Sequence, residues 1–294
     1  MTVLVTGATG NVGSATVREL LDRGARVRAF VRDPGRARDR LGEGVELASG
    51  DFGDPASVRR ALDGVARVLL SSADGPDKVA DETGVIAAAA AEGVELIVKA
   101  STVGARAGSP LPCWDWNGQI EDRLRGAPVA AVNLRSGFYM TNVLMAADQV
   151  RGAGRLFAPA GDGAIAMVDP RDVGAVAAAV LTGEGHAGRD YVVTGPEAIT
   201  YRQVADALAA ATGYSVEYVD VPPQAAREGL VGAGMPPWLV DHLDGAFALI
   251  RRGELAQATD TVRMLTGREP RTFAAFARDR AGLFAQAGAA EATA

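Results

Sequence analysis

The residues best suited to chemistry lie in the glycine-rich segment TGATGNVGS, in which Gly7, Gly10 and Gly13 are spaced by three residues. The segment follows a short apolar run and precedes a stretch with helical periodicity. A helix that begins directly after a strand has unpaired N–H groups and a partial positive charge at its start, and both favour a phosphate. Glycines let a diphosphate approach the turn closely. We therefore expect this segment to bind a dinucleotide.

The spacing G-x-x-G-x-x-G differs from the usual dinucleotide fingerprint G-x-G-x-x-G, although its position between a strand and a helix is the expected context. The alternative interpretation is a glycine-rich turn that binds no ligand. The polar residues Thr6, Thr9 and Asn11 among the glycines favour the ligand-binding interpretation.

The end of the second predicted strand indicates which dinucleotide is bound. An acidic residue there would hold the ribose hydroxyls of NAD, whereas an arginine accommodates the additional phosphate of NADP. Arg32 stands at this place, 19 residues after Gly13, with Arg36 and Arg38 close by. A guanidinium binds phosphate through two parallel hydrogen bonds, so we predict NADPH rather than NADH. The alternative is that these arginines are solvated and Asp33 binds the ribose.

Composition excludes several other kinds of chemistry. The chain has 294 residues, 48% of them hydrophobic, and a net charge of -6, so we expect no nucleic-acid or membrane partner. One cysteine, Cys113, and two histidines, His186 and His242, are too few for a cysteine or imidazole metal site. Without a signal-like segment or a long apolar run, we expect a cytoplasmic monomer or homodimer that holds no metal.

The elements that must position these residues alternate along the first half of the chain. Short β-branched runs predict strands at Val3–Val5, Val27–Val31, Val45–Leu47, Val68–Leu70, Leu96–Val98 and Val129–Leu134. Helical spacing predicts helices at Val12–Arg23, Pro55–Leu62, Lys78–Glu92 and Trp116–Arg125. This alternation predicts an α/β fold, a Rossmann-type doubly wound parallel sheet, with residues 1–150 as the dinucleotide-binding core.

The alternation loosens after Arg135. We predict strands at Tyr191–Val193 and Val216–Val219, and helices at Asp169–Leu181, Tyr201–Thr212 and Trp238–Arg252. These elements do not continue a simple βα pattern. We expect residues 151–284 to complete the core and to form a smaller C-terminal substrate-binding lobe, followed by a flexible tail at 285–294.

Six motifs together resemble the NmrA-like family of atypical short-chain dehydrogenase/reductases. They are VTGATGNVG near the start, RDP at 32–34, GDFGDPASV at 50–58, VKAST at 98–102, IEDRLRGAPVAAVNLRSGFYMTN at 120–142 and TGREPRTFAAFARD at 266–279. Within the family, the chain is most similar to the branch of bacterial NAD(P)H:quinone oxidoreductases and triphenylmethane dye reductases. The resemblance covers about residues 1–280 and implies a Rossmann domain, a small C-terminal lobe and a cleft between them.

The resemblance also implies contacts with the coenzyme. The residues implied around the diphosphate are Gly7, Thr9, Gly10, Asn11 and Val12, while Arg32 would bind the 2′-phosphate. Asp51 and Phe52 would flank the adenine. Ser71, Ser72, Lys99 and Ser101 end the fourth and fifth strands, near the expected nicotinamide half. Lys99 lies in an apolar strand, where an unpaired charge is costly, so it binds either the ribose or a structural ion-pair partner.

Three departures from the relatives affect the catalytic groups. None of the five tyrosines has a lysine four residues later, so the Tyr-x-x-x-Lys pair of conventional short-chain dehydrogenases is absent. Asn117 stands where many relatives have a histidine, four residues before Glu121. Ser136 stands where the family motif often has proline. The remaining candidate catalytic residues are Lys99 and Tyr139.

Aromatic residues predict the kind of substrate. Trp114, Trp116, Phe138 and Tyr139 are expected near the cleft and suit a flat conjugated acceptor, although some of them could simply fill the core. Hydride transfer from a nicotinamide needs no protein nucleophile, and a reduced quinone is a weak base that solvent or Tyr139 can protonate. We predict an NADPH-dependent oxidoreductase acting on a quinone-like or other conjugated carbonyl compound, with a biosynthetic pathway as one setting. The alternative is a non-catalytic NADP(H)-binding redox sensor.

Overall fold

The computed structural model describes residues 1–285, so nearly all of the predicted tail, 285–294, lies outside the described residues. The strands are β1 (Thr2–Val5), β2 (Arg26–Val31), β3 (Glu46–Ser49), β4 (Arg67–Leu70), β5 (Leu96–Thr102), β6 (Ala130–Ser136), β7 (Arg155–Ala158), β8 (Ala164–Ile165), β9 (Asp190–Val193), β10 (Ile199–Thr200) and β11 (Glu217–Asp220).

The helices of the described chain range from 4 to 15 residues. They are α1 (Asn11–Asp22), α2 (Pro34–Leu41), α3 (Pro55–Leu62), α4 (Lys78–Ala91), α5 (Pro112–Arg125), a 3-10 helix (Met140–Ala146), α6 (Ala147–Ala153), α7 (Pro170–Thr182), α8 (Tyr201–Thr212), α9 (Pro223–Gly232), α10 (Pro237–Arg251), α11 (Thr261–Thr266), α12 (Phe273–Asp279) and α13 (Ala281–Phe284). Within residues 1–285, no helix is both long and apolar enough to span a membrane.

A seven-stranded sheet with the order β3-β2-β1-β4-β5-β6-β9 confirms the predicted doubly wound fold. Every neighbouring pair of strands in it is parallel. The strand order reverses between β1 and β4, where Leu4 pairs with Val68. In open parallel sheets, ligands bind in the crevice outside the carboxyl ends of the strands at such a switch point. The fold therefore places the glycine-rich segment at the expected binding crevice.

The described residues form two compact units, and each unit is built from separated stretches of the chain. The first unit comprises Met1–Ser136, Pro170–Val193 and Thr261–Arg268, and the second comprises Gly137–Asp169, Thr194–Asp260 and the chain from Glu269. Residues 137–150 group with the second unit, and the division of function at residue 150 stays a prediction. Helix α7 and strand β9 belong to the first unit, and β9 pairs with β6 across more than fifty residues of sequence.

Both faces of the large sheet are covered within the first unit. Side chains of alternate strand residues, such as Leu4, Val68 and Ile97, pack on one face with residues of α3, α4 and α5. Helices α1 and α7 pack against each other and supply other buried residues of the same unit. This double coverage accounts for the continuous apolar runs of the central strands.

The second unit has its own core. Two short sheets, the antiparallel pair β8 and β10 and the parallel pair β7 and β11, accompany its helices. The buried aromatic residues of this core are Tyr201, Tyr218, Phe273, Phe276 and Phe284. The assignment of this unit to substrate binding stays a prediction.

Some local elements differ from the sequence-based expectations. Helix α2 was not predicted because its sequence PGRARDRL is highly charged, yet Asp33 caps its first turn and Pro34 suits its first position. Strand β5 continues beyond the predicted end at Val98 to Thr102. It therefore includes both Lys99 and Ser101, which were expected at the end of this strand.

The close packing of α1 on α7 depends on Gly174. A Cβ atom at this position would lie 2.6 Å from the Cβ atom of Ala15 and 2.8 Å from the backbone nitrogen of Thr16. We expect Gly174→Ala to lower the free energy of unfolding by about 1–3 kcal/mol, because the helices must separate, as measured by chemical denaturation. The control is Gly84→Ala in α4, where an added Cβ has no neighbour within 4 Å. That variant should be up to about 1 kcal/mol more stable, and a similar effect of both would contradict the packing argument.

Candidate active site

The three glycines after β1 have different structural roles. Gly7 has a φ of +57°, a left-handed conformation that favours glycine, and a Cβ on it would lie 2.8 Å from the carbonyl oxygen of Ser71. A Cβ on Gly13 would lie 2.2 Å from the carbonyl oxygen of Gly7, closer than any side chain permits. Gly10 occupies the N-cap position of α1. Helix α1 therefore begins directly against the turn that follows β1.

The N-terminus of α1 is available to an anion. No side chain caps it, and its first turn has no acidic residue. Thr9, Gly10 and Asn11 are exposed, whereas Val12 is buried. Uncapped N–H groups and the positive end of the helix dipole suit a diphosphate, so this part of the chain fits the predicted group.

Thr6 serves a different purpose from its neighbours. Its hydroxyl lies 2.7 Å from the carbonyl oxygen of Ser71 and 3.2 Å from that of Leu69, and it accepts a hydrogen bond from the N–H of Ser71 at 2.8 Å. The side chain thus joins the ends of β1 and β4. It holds the switch point of the sheet together instead of projecting toward a ligand.

The residues after β2 favour the arginine interpretation. The carboxylate of Asp33 accepts a hydrogen bond from the N–H of Arg36 at 3.1 Å, which caps α2. Arg32 is exposed and forms no hydrogen bond or close ion pair with residues 1–285, although its charge attracts the carboxylate of Asp81. The guanidinium of Arg38, by contrast, donates to the carbonyl oxygen of Val45 at 3.1 Å. Of these groups, Asp33 and Arg38 are engaged locally and Arg32 is available for a phosphate.

The residues predicted to flank the adenine lie directly after β3. Phe52 is half-buried and meets Phe30 edge-on, with the ring centroids 5.4 Å apart. Asp51 is exposed, and its carboxylate accepts the N–H of Gly53 at 2.9 Å. The hydroxyl of Ser57 accepts the N–H of Asp51 at 3.1 Å. These contacts hold the loop in one conformation and leave an acid and a ring edge at the carboxyl end of the sheet.

Lys99 lies in a buried cluster of charges that sequence reasoning missed. Its Nζ atom is 3.0 Å from Oε2 of Glu82 and also donates to the carbonyl oxygen of Ala100. The Nζ atom of Lys78 is 2.9 Å from Oε1 of the same carboxylate. The side chains of Lys99 and Glu82 have no accessible surface. These contacts support the ion-pair alternative for Lys99, and its contact with coenzyme or substrate stays a prediction.

The charges in this cluster shift each other's pKa values. Burial lowers the pKa of Lys99 to about 8, although the nearby carboxylate of Glu82 opposes the shift. Burial also disfavours the charged form of Lys78, but the attraction of Glu82 and Asp74 outweighs it and raises the pKa of Lys78. Burial would raise the pKa of Glu82, yet the two ammonium groups prevail and lower it. Glu82 therefore remains a carboxylate at neutral pH.

Two buried carboxylates orient the serine hydroxyls at the ends of β4 and β5. The hydroxyl of Ser72 donates to Oε1 of Glu82 at 2.8 Å. The hydroxyl of Ser101 donates to Oε1 of Glu121 at 2.6 Å, and the guanidinium of Arg135 binds both oxygens of Glu121, at 2.6 and 3.1 Å. The one sequence signal for the first cluster was that Lys78 and Lys99 are the only lysines among 30 basic residues.

The residues predicted to bind substrate fall in both units. Trp114 and Trp116 are half-buried on α5 in the first unit, and the ring of Trp114 lies so close to Gly104 that an added Cβ would be 2.4 Å away. Phe138 packs against the core of the second unit, which supports the core-filling alternative for its ring. Tyr139, also half-buried, forms a backbone bridge with Val168.

The remaining groups on α5 are not built for nucleophilic or metal chemistry. Asn117 is buried, and its amide donates to the carbonyl oxygen of Cys113 at 2.7 Å. Burial raises the pKa of the Cys113 thiol to about 12, so it is not a reactive thiolate. Across the described part of the chain, no three His, Cys, Asp or Glu side chains are grouped so that they could hold a metal ion.

Comparison with known proteins gives the family. The NmrA-like family model matches residues 1–267. This chain is a member of the NmrA-like family. The NmrA-like protein is 38% identical to an NAD(P)H azoreductase of Xenophilus azovorans over 97% of its own length and 100% of the relative. It is 40% identical to the (4-alkanoyl-5-oxo-2,5-dihydrofuran-3-yl)methyl phosphate reductase of Streptomyces griseus, over 96% and 99% of the two chains.

A solved structure has the same architecture. The NADPH-dependent quinone oxidoreductase of Escherichia coli complexed with NADPH superimposes on the NmrA-like protein with a TM-score of 0.85. The two chains are 30% identical, and the alignment covers 94% of this chain and 99% of the other. Both the fold and the family predicted from the motifs are confirmed.

The buried lysine gives the NmrA-like protein a distinctive pH dependence. The pKa of Lys99 is about 8 in the folded chain, below its ordinary value of 10.5, so the unfolded chain binds more protons between these values. The stability contributed at this site therefore rises with pH through that window. Relative to Lys99→Met, we expect the wild type to gain about 1–3 kcal/mol in free energy of unfolding between about pH 7.5 and pH 10, measured by chemical denaturation. A difference between the two proteins that is constant with pH would contradict the lowered pKa.

Proposed function

We propose that this NmrA-like protein is an NADPH-dependent oxidoreductase that transfers hydride to a quinone-like or other conjugated carbonyl compound. The observation that carries the proposal is the combination, at one sheet edge, of an uncapped helix N-terminus against a glycine turn and an exposed Arg32. The first feature suits a diphosphate and the second suits a 2′-phosphate. One oxygen of the Asp33 carboxylate already caps α2, whereas the guanidinium of Arg32 has no hydrogen bond within residues 1–285, which favours NADPH over NADH.

The relatives support the reaction class and a conjugated acceptor. One is named for NAD(P)H and azo reduction, one for NADPH and quinones, and one for a substrate that carries an alkanoyl group on an oxo-dihydrofuran ring. The reacting groups differ, but all three are conjugated and accept hydride more readily than a simple ketone. Because the relatives reduce different groups, we propose a class of acceptor for this protein and not a single substrate.

Different residues of the chain would bind different parts of NADPH. When bound, NADPH supplies the hydride. Backbone N–H groups of Asn11 and Val12, together with the residues Gly7, Thr9 and Gly10, would surround its diphosphate, and Arg32 would bind its 2′-phosphate. Asp51 and Phe52 would meet the adenine, and Ser71, Ser72 and Ser101 the nicotinamide half. Lys99 would act indirectly, through Glu82.

The missing Tyr-x-x-x-Lys pair bears on which acceptor is reduced and on what protonates the product. Without a Tyr-x-x-x-Lys pair, the chain lacks the proton donor that conventional short-chain dehydrogenases use for an alkoxide, so we expect a simple ketone to be a poor substrate. A hydroquinone anion is a weak base, which solvent or Tyr139 can protonate. Trp114, Trp116, Phe138 and Tyr139 stay our predicted acceptor contacts. We also propose a cytoplasmic monomer or homodimer that binds neither nucleic acid nor membrane, consistent with its net charge of -6.

The reaction class is tested by NADPH oxidation across a panel of benzoquinones, naphthoquinones, α,β-unsaturated ketones and saturated ketones. We expect turnover with the conjugated compounds and at least about 100-fold lower kcat/KM with the saturated ketones, because only the latter form a strongly basic alkoxide. The decrease in NADPH absorbance measures the rate. Tight NADPH binding without turnover of any acceptor would contradict the enzyme and favour the redox-sensor alternative.

The choice of coenzyme is tested at Arg32. We expect Arg32→Ala to lower kcat/KM for NADPH by about 10- to 100-fold, the value of a lost charge-assisted phosphate contact, and to leave kcat/KM for NADH nearly unchanged. Arg40→Ala, which removes an exposed arginine from α2, is the matched control and should alter neither value. Equal losses with both coenzymes would show that Arg32 does not bind the 2′-phosphate.

A further inference from the structure

Ser72 lies beside the glycine turn at the switch point of the sheet. It follows β4 and Ser71, whose carbonyl oxygen would be 2.8 Å from a Cβ on Gly7 and whose N–H is held by Thr6. The side chain of Ser72 is half-buried, so part of it remains accessible. Ser72 lies on the β4 side of the switch point. In a bound dinucleotide, this side is expected to face the nicotinamide half.

Glu82 connects Ser72 to two buried lysines. Its Oε1 atom is 2.8 Å from the Ser72 hydroxyl and 2.9 Å from Nζ of Lys78, and its Oε2 atom is 3.0 Å from Nζ of Lys99. Three elements meet at this carboxylate: α4 supplies Glu82 and Lys78, β5 supplies Lys99, and the end of β4 leads to Ser72. The pKa of Glu82 is lowered by the two ammonium groups, so the carboxylate only accepts hydrogen bonds.

The direction of the Ser72 hydrogen bond follows from that charge. A carboxylate has no proton to give, so the hydroxyl of Ser72 must donate to Glu82. The Nζ atom of Lys78 also lies 3.4 Å from this hydroxyl oxygen and can only donate to it. The oxygen of Ser72 therefore has one lone pair left, with which it can accept a hydrogen bond from a ligand. It would select a partner that carries N–H or O–H.

Stability alone does not explain the cluster. Replacing buried ion pairs by apolar side chains of similar volume is often neutral or stabilising, so three buried charges beside a binding crevice call for another explanation. The chain uses arginine at every other basic position, yet both positions here are lysine. A compact ammonium can direct its hydrogen bonds to several acceptors around it, as Lys78 does to Glu82, Asp74 and Ser72, whereas the donors of a guanidinium lie in one plane.

We propose that Glu82 is a positioning residue, which fixes the Ser72 hydroxyl as the hydrogen-bond acceptor for the nicotinamide half of the coenzyme, through its carboxamide N–H or ribose O–H. The inference rests on the proposed NADPH dependence. It deepens that proposal by assigning the β4–α4 side of the site to a charge cluster that does not itself touch the ligand. The Lys78 and Lys99 ammonium groups keep Glu82 ionised, and Glu82 orients Ser72.

The experiment measures the affinities of NADPH and of 2′,5′-ADP, which lacks the nicotinamide half, by calorimetry. The proteins are the wild type, Ser72→Ala, Glu82→Gln and the double variant. We expect each single variant to weaken NADPH by about 3- to 10-fold, the range for one hydrogen bond, and to change 2′,5′-ADP by less than about twofold. The double variant should bind NADPH no more weakly than the weaker single variant, because Glu82 acts through Ser72.

The controls separate positioning from folding. Thr83→Ala removes a hydroxyl of α4 that bonds to the carbonyl oxygen of Val79, and it should change neither affinity. If Glu82→Gln does not fold, Glu82→Gln combined with Lys99→Met takes its place, because this pair removes one charge of each sign. Thermal unfolding of every variant identifies the folded ones before binding is measured.

Each other outcome overturns one of the two proposals. Wild type that binds neither NADPH nor 2′,5′-ADP overturns the proposed function, and the role of Glu82 with it. Wild type that binds both, with Ser72→Ala unchanged or with both ligands weakened equally, overturns only the role of Glu82. Losses that add in the double variant overturn it too, because Glu82 would then act independently of Ser72.

Discussion

The contact between the start of α1 and the turn after β1 is the constraint on which the candidate site depends. The backbone at Gly13 lies against the carbonyl group of Gly7, leaving no room for a Cβ atom. Because the helix begins this close to the strand, its uncapped N–H groups lie at the switch point between β1 and β4. A side chain at either position would push the helix away and take the positive end of its dipole from the crevice.

Around this contact, the polar groups divide into those that hold the fold and those that remain for a ligand. Thr6 joins β1 to β4, Asp33 caps α2, and Arg38 bonds to backbone carbonyl groups. Arg32 and the N-terminus of α1 have no such duty within residues 1–285. These two groups lie at the carboxyl edge of the sheet. They are the kinds of group that bind the phosphates of NADPH.

Two buried carboxylates are the second feature on which the candidate site depends, because they orient serine hydroxyls. Glu82 and Glu121 lie beneath the ends of β4 and β5, are neutralised by Lys78, Lys99 and Arg135, and direct the hydroxyls of two serines. A hydroxyl can rotate, and a charged acceptor in a low-dielectric interior limits that rotation strongly. The enzyme can thereby present oriented hydrogen-bonding groups at a strand end without exposing a charge there.

Sequence alone predicted the parallel sheet, the glycine turn, the arginine after β2 and the family, because each depends on local patterns: strand and helix periodicity, glycine spacing and short motifs. It missed α2, whose stability comes from its cap and proline and not from apolar periodicity. It also left the role of Lys99 open. Only the tertiary structure shows its ion pair, because Glu82 is 17 residues away on another element and an ion pair depends on distance in space. The tertiary structure likewise decided the division into units, since β9 reaches β6 through packing that no local pattern encodes.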